Sequence, residues 1–263
     1  MATFYGIDPV WAATTDAGRT HVVTKGIVQN GLVFNIDAGV TTSYPGSGAT
    51  WTNLASGAPN GTLVNGPTFR RISGGNIAFN GTNTNASFGT ISTSSQISLT
   101  NNFTIEQIFK PTAYSTSTYF GIANQLIAKG SASTYNYATQ PSSDTTFSFT
   151  KRTSPEGLQY HTFTVPSMLN NVNVVTLVIA NGIDSANDTV TCYHNGTFIQ
   201  TQSIVGANIA AVDADPFVLG GLSTSIPVTL FTGEYYAGRI YNRALTAVEV
   251  KKNFNAVRTR YSL

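Results

Sequence analysis

Carboxylates that could cleave a glycosidic bond are scarce in this sequence. Hydrolysis of such a bond needs two carboxyl groups close together, one acting as the acid and the other as nucleophile or base. The four glutamates, Glu106, Glu156, Glu234 and Glu249, are far apart along the chain. The sequence also lacks the Gly-x-Ser-x-Gly, Walker and His-Glu-x-x-His motifs of other catalytic classes. We therefore expect a protein that is not an enzyme.

Histidines and aspartates are the next candidates for chemistry. The histidines His21, His161 and His194 are dispersed, so we predict no zinc site. Hard oxygen ligands of the kind that calcium prefers occur in predicted loops. They belong to Asp184, Asp188, Asp213 and Asp215. Aspartate is also a common turn residue, and neither pair forms a recognised calcium loop. Turn chemistry is the favoured interpretation, with bound calcium as the alternative and no other cofactor expected.

Aromatic residues in or near predicted loops could stack on a sugar ring. They are Trp51, Tyr114, Tyr119, Tyr135 and Tyr137. A sugar site also needs polar groups around the ring to bind hydroxyls. The sequence does not show that any two of these residues share a rim, and loop aromatics in a sandwich often cover its open ends. Carbohydrate binding and core packing both stay open, and core packing is favoured.

The composition argues against several classes of partner. The net charge is +2 and charged residues make up 10% of the chain, which leaves no basic patch for nucleic acid. The longest apolar run, residues 174–180, is too short to span a bilayer. The first residues lack a basic region followed by an apolar run, so we expect no secretory signal and folding in a cytoplasm. Cys192 lies within an apolar strand pattern and is predicted to be a buried thiol.

Short strands separated by Gly, Pro and Asn turns must position these residues. Alternation of apolar and polar residues from Phe103 to Phe109 predicts a strand with one buried face. Asn195-Gly196 predicts a type I′ hairpin turn. With no alternating helices in the pattern, the sequence predicts an all-β sandwich rather than an α/β fold.

The C-terminal residues predict a strand followed by a helix. Strict alternation in the strand places Tyr236 and Ile240 on one face, opposite to Tyr235. Thr246 with Glu249 three residues later predicts a capping box that starts the helix. The helix then presents an apolar stripe that consists of Ala247, Val250, Phe254 and Val257.

This ending, Tyr241-Asn-Arg-Ala-Leu245 followed by Thr246-Ala-Val-Glu249, resembles the closing strand and helix of laminin-G-like domains of the concanavalin A-like lectin/glucanase superfamily. Further matches are Gly31–Ala38, Trp51–Leu54, Asn60–Leu63, Asn65–Phe69, Ile77–Gly81, Phe103–Glu106, Tyr193–Gly196 and Val218–Gly221. The resemblance implies a concanavalin A-like antiparallel β-sandwich, or jelly roll, with a short C-terminal α-helix. We predict that residues 31–263 form this laminin-G-like domain.

The resemblance also bears on function. Glucanases of the superfamily carry two glutamates with an aspartate between them on one strand, and this motif is missing here. Two segments are similar to laminin-G-like structural proteins of tailed phages, namely Ser43–Gly48 and Asn253–Tyr261. We therefore expect a non-enzymatic virion structural protein, either decorating a capsid or associated with a tail, that assembles in the host cytoplasm as a homo-oligomer. The alternative is a carbohydrate-binding module that mediates adsorption to host polysaccharide.

Residues 1–30 do not match the family pattern and are predicted to form an extended N-terminal arm. Its large aromatic residues, Phe4, Tyr5 and Trp11, are costly to leave in water. We expect them to dock on a neighbouring subunit or on the capsid or tail, and the alternative is that they wrap their own domain.

Overall fold

The computed structural model describes residues 15–16, 19–20, 26–56, 59–81, 88–91, 99, 102–114, 126–129, 137–153, 157–180, 188–204, 217–221 and 230–263. Strands β1 (Thr15–Asp16) and β2 (Arg19–Thr20) form a two-stranded ladder within residues 1–30, where no strand was predicted. The other described strands belong to two larger antiparallel sheets.

Sheet 2 is built around the C-terminal strand. Its strands are β3 (Leu32–Asp37), β6 (Thr68–Arg70), β7 (Asn76–Asn80), β9 (Phe103–Ala113), β14 (Asn173–Ala180), β15 (Asp188–His194), β16 (Thr197–Ile204) and β18 (Thr232–Tyr241). Their order is β16-β15-β14-β9-β18-β7-β6, and β3 also pairs with β18.

Sheet 1 lies across the core from sheet 2. Its strands are β4 (Thr50–Trp51), β5 (Gly61–Val64), β8 (Phe88–Ile91), β10 (Ile127–Lys129), β11 (Tyr137–Ser143), β12 (Thr146–Thr153), β13 (Gly157–Thr164) and β17 (Phe217–Leu219). Their order is β13-β12-β11-β10-β17-β8-β5-β4. The predicted all-β antiparallel sandwich is confirmed.

The core fills the space between the two sheets. Phe103, Ile105 and Phe109 project inward from β9 and pack with Phe147 and other buried residues of sheet 1, as the alternation predicted. The prediction of a single buried face is wrong, because Thr104, Glu106 and Ile108 on the other face are also buried. A polar pair also crosses this core. The Gln107 amide of β9 donates to the Thr139 hydroxyl of β11 at 2.8 Å, which satisfies two buried polar side chains at once.

The face assignment predicted for β18 is wrong at two residues, Tyr235 and Tyr236. A β-bulge shifts the register of β18 against β9 between Tyr235 and Ala237. The extra residue reverses the alternation, so Tyr235 and Ile240 both face the sandwich core. Tyr236 instead faces outward and packs against the C-terminal helix. The prediction that Tyr236 and Ile240 share a face is therefore corrected.

Helix α1 (Ala247–Val257) packs on the outer face of sheet 2, and a 3-10 helix (Arg258–Tyr261) follows it. The predicted capping box between Thr246 and Glu249 is present. The buried side chains of α1 are Val250, Asn253, Phe254 and Val257. Ala247, predicted to belong to this stripe, is exposed, and Asn253 is buried instead because its amide binds the Tyr241 hydroxyl and its carbonyl oxygen accepts from the Val28 backbone N–H.

The hairpin between β15 and β16 turns at Asn195 (φ 50°) and Gly196 (φ 67°). Positive φ at both positions is what a type I′ turn requires, so the prediction is confirmed. Cys192 in the same hairpin is buried, and burial raises the pKa of its thiol to about 12, as expected for an unreactive core residue. Among the described residues, no helix is both long and apolar enough to cross a membrane.

Candidate functional site

The described glutamates are all held by structural partners. Glu106 accepts a hydrogen bond from Arg239 Nη1 at 2.6 Å. Glu234 is paired with Arg70 at 3.2 Å and accepts the Tyr236 hydroxyl at 2.5 Å. Glu249 binds Arg243 through both oxygens, at 2.6 and 2.9 Å, in addition to its capping role. These three carboxylates therefore stabilise the fold around β18 and α1. Glu156 lies outside the described residues.

Two of the aromatic residues predicted to contact sugar lie in the core, and those predictions are corrected. Trp51 is 1% exposed, with its ring 6.2 Å from Tyr235. Tyr137 is fully buried, with its ring 5.4 Å from Phe103. Neither ring can stack on an external ligand, because packing within the sandwich covers both. The core-packing interpretation is the right one for this pair.

The remaining aromatic candidates divide between the described and undescribed parts of the chain. Tyr114 is partly buried at the end of β9, and burial together with the neighbouring Asp144 carboxylate raises the pKa of its phenol. Asp144 is itself engaged by the Ser167 hydroxyl and by backbone N–H groups of Met168 and Leu169. Tyr119 and Tyr135 lie outside the described residues.

The candidates for metal binding do not come together in the described structure. Asp188 is fully buried at the start of β15, whereas Asp184, Asp213 and Asp215 lie outside the described residues. Within the described ranges, no three His, Cys, Asp or Glu side chains are grouped so as to hold a metal ion. The docking candidates Phe4, Tyr5 and Trp11 and the histidine His21 also lie outside the description.

The two sheets expose an uncharged edge where β13 of sheet 1 lies beside β16 of sheet 2. The Gln202 side-chain amide of β16 donates to the Thr162 carbonyl of β13 at 2.6 Å and contacts Gln200 Oε1 at 3.4 Å. This bond occupies a carbonyl on the free edge of β13, which protects that edge from pairing with another strand. We call Tyr160, His161, Thr162, Gln200 and Gln202 the edge site.

The edge site combines an aromatic ring with exposed polar groups. Tyr160 lies on the outer face of β13 and is 40% exposed, and Thr162 follows it on the same face. Gln200 is exposed and Gln202 is partly exposed on β16. The amides pair with the core residues Cys192 and Val190 and so lie on the inner face of β16, whereas the Tyr160 ring and Thr162 lie on the outer face of β13. An exposed ring with a neighbouring hydroxyl can bind a sugar through stacking and a hydrogen bond.

His161 lies beneath this surface and faces the core side of β13. Its ring centroid is 6.2 Å from that of Phe149, and its Nε2 is buried without a hydrogen-bond partner. Burial lowers the pKa of His161 below its ordinary value, the nearby Lys151 lowers it further, and the Gln202 amide raises it. The imidazole is therefore neutral at pH 7, and it adds no charge to the edge site.

Tyr160 is not among the loop aromatics, because it lies within a strand. Two sequence signals could have located it. One is the alternation of Gln159-Tyr-His-Thr-Phe-Thr164, which places Tyr160 opposite to the core residue Phe163. The other is the pair of amides in Gln200-Thr-Gln202. Sequence alone does not reveal that β13 and β16 are neighbours, since they belong to different sheets.

The fold and the motifs agree with a family assignment. Residues 80–251, more than half of the chain, match the family model described as Concanavalin A-like lectin/glucanases superfamily, of the laminin G type. The chain therefore belongs to this superfamily. No curated protein matches the chain.

Two of the solved structures with a similar fold are binding domains. The binding domain of Paraclostridial Mosquitocidal Protein 1 has a TM-score of 0.61 and 16% identity, and the alignment covers 86% of this chain and 52% of that one. The binding domain of Botulinum Neurotoxin DC in complex with SialylT has a TM-score of 0.62 and 11% identity, with coverage of 87% and 52%. The chain thus spans about half the length of these toxin binding domains.

A third structure matches over nearly its whole length. Domain 4 of AbnA, a GH43 extracellular arabinanase from Geobacillus stearothermophilus, in complex with arabinotriose, has a TM-score of 0.58 and 15% identity, and 86% of this chain aligns with 99% of that domain. At such low identities the three likenesses establish a shared lectin-like fold and no more.

Proposed function

We propose that the chain is a non-enzymatic glycan-binding module whose ligand occupies the edge site. The observation that carries the proposal is the 40% exposed Tyr160 ring, which lies with the exposed Thr162 on the outer face of the edge strand β13. The superfamily assignment supports it, as does the fold shared with an arabinanase domain that is in complex with arabinotriose. Host surface glycans are the proposed partners, and no metal or cofactor takes part.

Affinity measurements on matched variants test this proposal. Calorimetry of the whole chain against arabinotriose and other oligosaccharides should detect binding that Tyr160→Ala weakens by about fivefold or more, since an aromatic contact contributes roughly 1 kcal/mol. Phe198→Ala is the control, because Phe198 is 57% exposed at the turn end of the β15–β16 hairpin, where its ring packs on Tyr193. Equal losses in the two variants, or no binding by the parent, would refute the edge site.

We also propose that the module is a virion protein, attached to a capsid or tail as a homo-oligomer and assembled in the host cytoplasm. The proposal draws on the phage-like segments Ser43–Gly48 and Asn253–Tyr261. In the structure these segments make fold contacts: the Ser43 hydroxyl accepts from the Asp37 N–H, and Tyr261 packs on Tyr236.

Particle purification tests the virion proposal. Antibodies against the chain should detect it in a fixed ratio to the capsid protein across the particle peak of a density gradient. A chain that stays at the top of the gradient, with none in the particle peak, would rule out a structural role in the virion.

A further inference from the structure

We infer that the exposed face of helix α1 receives the N-terminal arm of a second copy of this chain. The inference rests on the proposal that the chain assembles as a homo-oligomer, and it names the surface through which two copies are joined. The part of the arm that it places there is residues 4–11, which contain the predicted docking residues Phe4, Tyr5 and Trp11.

The outer side of α1 is an uncovered surface with an apolar centre and two cations. Val248 is 78% exposed, the largest exposed fraction among the large hydrophobic residues that the structure describes. A groove on this side of the helix is lined by Ala247, Val248, Lys251, Lys252 and Asn255. We call these five residues the helix groove. It offers apolar contact at Val248 with positive charge beside it.

The charge of the helix groove is not neutralised by the described part of the chain. Glu249 is the only acidic residue of α1, and its carboxylate binds Arg243 at 2.6 Å. The Lys251 ammonium lies 5.0 Å from the centre of the Phe254 ring, a position in which the π face attracts a cation. Lysines in this setting favour a partner that brings aromatic rings and a carboxylate but no cation.

The arm segment has this composition. From Phe4 to Trp11 it carries three aromatic side chains, two aliphatic ones and the Asp8 carboxylate, with no lysine or arginine. Its rings can bury apolar area against Val248 and present their π faces to the lysine ammoniums. The Asp8 carboxylate is opposite in charge to the same lysines. The segment and the helix groove are therefore complementary in both apolar contact and charge.

The path of the chain beside α1 directs the arm away from the helix groove of its own copy. The Val28 backbone N–H donates to Asn253, whereas Gly26 lies against Ala256, which is nearer the C-terminal end of α1. Traced toward the N-terminus, the chain therefore moves along α1 toward the C-terminal end of the helix. Val248 lies at the opposite end and is exposed in the single chain. A second copy is thus the favoured source of the arm.

Each copy supplies one arm and one helix groove. Two copies related by a two-fold axis therefore exchange their arms reciprocally and leave neither groove open. The exchange joins the copies through two identical contacts, so a substitution in the helix groove acts twice on each pair of copies.

Self-association of matched variants tests the inference on the whole chain. Sedimentation velocity over a range of concentrations measures the dissociation constant between copies. Val248→Asp removes the apolar contact and repels Asp8, so this constant should rise at least about tenfold. Ile72→Asp is the control, because Ile72 is 60% exposed in the connection between β6 and β7 and does not lie on α1. The control should change the constant by less than about twofold.

A charge exchange tests the contact between the arm and the lysines. The double substitution Lys251→Glu and Lys252→Glu should weaken self-association, and so should Asp8→Lys alone. Combining all three substitutions should restore part of the lost affinity, because opposite charges then face each other again. Added salt should weaken association of the parent, since it screens these exposed charges. No recovery in the combined variant would contradict the contact.

Cross-linking distinguishes a second copy from the chain's own arm. A chain with Ala12→Cys is mixed with a chain with Asn255→Cys and treated with a short bismaleimide, while the buried Cys192 stays unreactive. Peptide mass spectrometry should find residue 12 linked to residue 255. Replacing Asn255→Cys by Ile72→Cys should lower the yield of linked chains strongly. A chain that carries both Ala12→Cys and Asn255→Cys should link mainly to other chains.

The outcomes separate this inference from the proposed homo-oligomer. If the parent self-associates and Val248→Asp associates equally well, α1 does not receive the arm and the homo-oligomer stands. If residues 12 and 255 are linked only within single chains, the arm covers its own α1 and the inference is wrong. If the parent stays a monomer at every concentration and no link forms between chains, the homo-oligomer fails and the inference fails with it.

Discussion

Arg260, in the 3-10 helix at the end of the chain, binds the carboxylate of Asp37 in β3 through both terminal guanidinium nitrogens. Nη1 lies 2.8 Å from Asp37 Oδ2, and Nη2 lies 2.7 Å from Oδ1. The same guanidinium donates to the Gly74 carbonyl, and Arg239 lies 3.7 Å from Asp37 while it binds Glu106. Two buried carboxylates thus meet two buried guanidiniums beneath α1. This network of two acidic and two basic side chains connects the C-terminal segment to β3.

Removing Arg260 should destabilise the protein strongly. Arg260→Leu leaves the buried Asp37 carboxylate with the more distant Arg239 as its cationic partner and with the Gly39 backbone N–H, and breaking a buried pair in this way costs about 3–5 kcal/mol. Urea denaturation followed by circular dichroism measures the change in the free energy of unfolding. Arg258→Leu is the control, because Arg258 is exposed in the same 3-10 helix. Equal stabilities of the two variants would show that the network contributes nothing.

Truncating Phe254 tests whether α1 is docked on sheet 2. Its ring lies against Gly196 of the β15–β16 turn, where a Cβ would come within 2.7 Å of it. Phe254→Ala should lower the free energy of unfolding by about 3 kcal/mol, as expected for a buried aromatic residue. Val248→Ala on the same helix should change it by less than about 0.5 kcal/mol, since Val248 is 78% exposed. An unchanged melting temperature for Phe254→Ala would mean that α1 is not packed in solution.

Glu249 should make stability depend on pH in the acid range. Its hydrogen bonds to Arg243, and then to the Thr246 backbone, lower the pKa of its carboxyl to about 2, from an ordinary value of 4.5. Because the folded-state pKa is lowered, the stabilisation is present above about pH 4.5 and is lost as the pH falls toward 2. The free-energy difference between the parent and Glu249→Gln, measured by urea denaturation, should therefore shrink over this interval.

The same variant also tests the proposal that the protein is not an enzyme. The amide oxygen introduced by Glu249→Gln could still accept the Thr246 N–H, so the helix start should survive at neutral pH. If the difference in unfolding free energy between the parent and Glu249→Gln stays constant from pH 6 to pH 2, that difference does not arise from titration of the Glu249 carboxyl. Glycosidase activity in the parent that disappears in Glu249→Gln would overturn the non-enzymatic assignment.

Local sequence signals predicted the fold well where they act over a few residues. The Asn195-Gly196 turn, the Thr246–Glu249 capping box and the alternation along β9 all depend on neighbours in the chain. The faces on which Tyr235 and Tyr236 of β18 lie were predicted wrongly, because the bulge in β18 depends on pairing with β9, which is remote in sequence. Trp51 and Tyr137 were assigned to loops for a similar reason: their burial is decided by rings that only the tertiary structure brings near. The edge site needs two strands from different sheets, so no local pattern contains it.

The final prediction concerns the N-terminal arm and where it can be cut. Ile27 and Val28 are buried, and the Val28 backbone N–H donates to Asn253 Oδ1 of α1 at 2.8 Å. A chain that starts at Gly26 keeps these contacts and should melt cooperatively, close to the temperature of the whole chain. A chain that starts at Gln29 loses two buried aliphatic side chains and leaves the Asn253 side-chain oxygen without the Val28 N–H. Its free energy of unfolding should fall by about 2 kcal/mol or more.

The same truncation tests whether the arm docks on a partner through Phe4, Tyr5 and Trp11. The chain that starts at Gly26 should fold but should oligomerise or attach to particles much more weakly, as measured by light scattering and by gradient sedimentation. Trp11→Ala in the whole chain should reproduce part of the loss, because truncating a buried interface Trp commonly costs about 2 kcal/mol or more. Full assembly by the truncated chain would show that these residues do not hold a partner. If the chain that starts at Gly26 instead unfolds, the arm packs against the sandwich of its own chain and is needed for its stability.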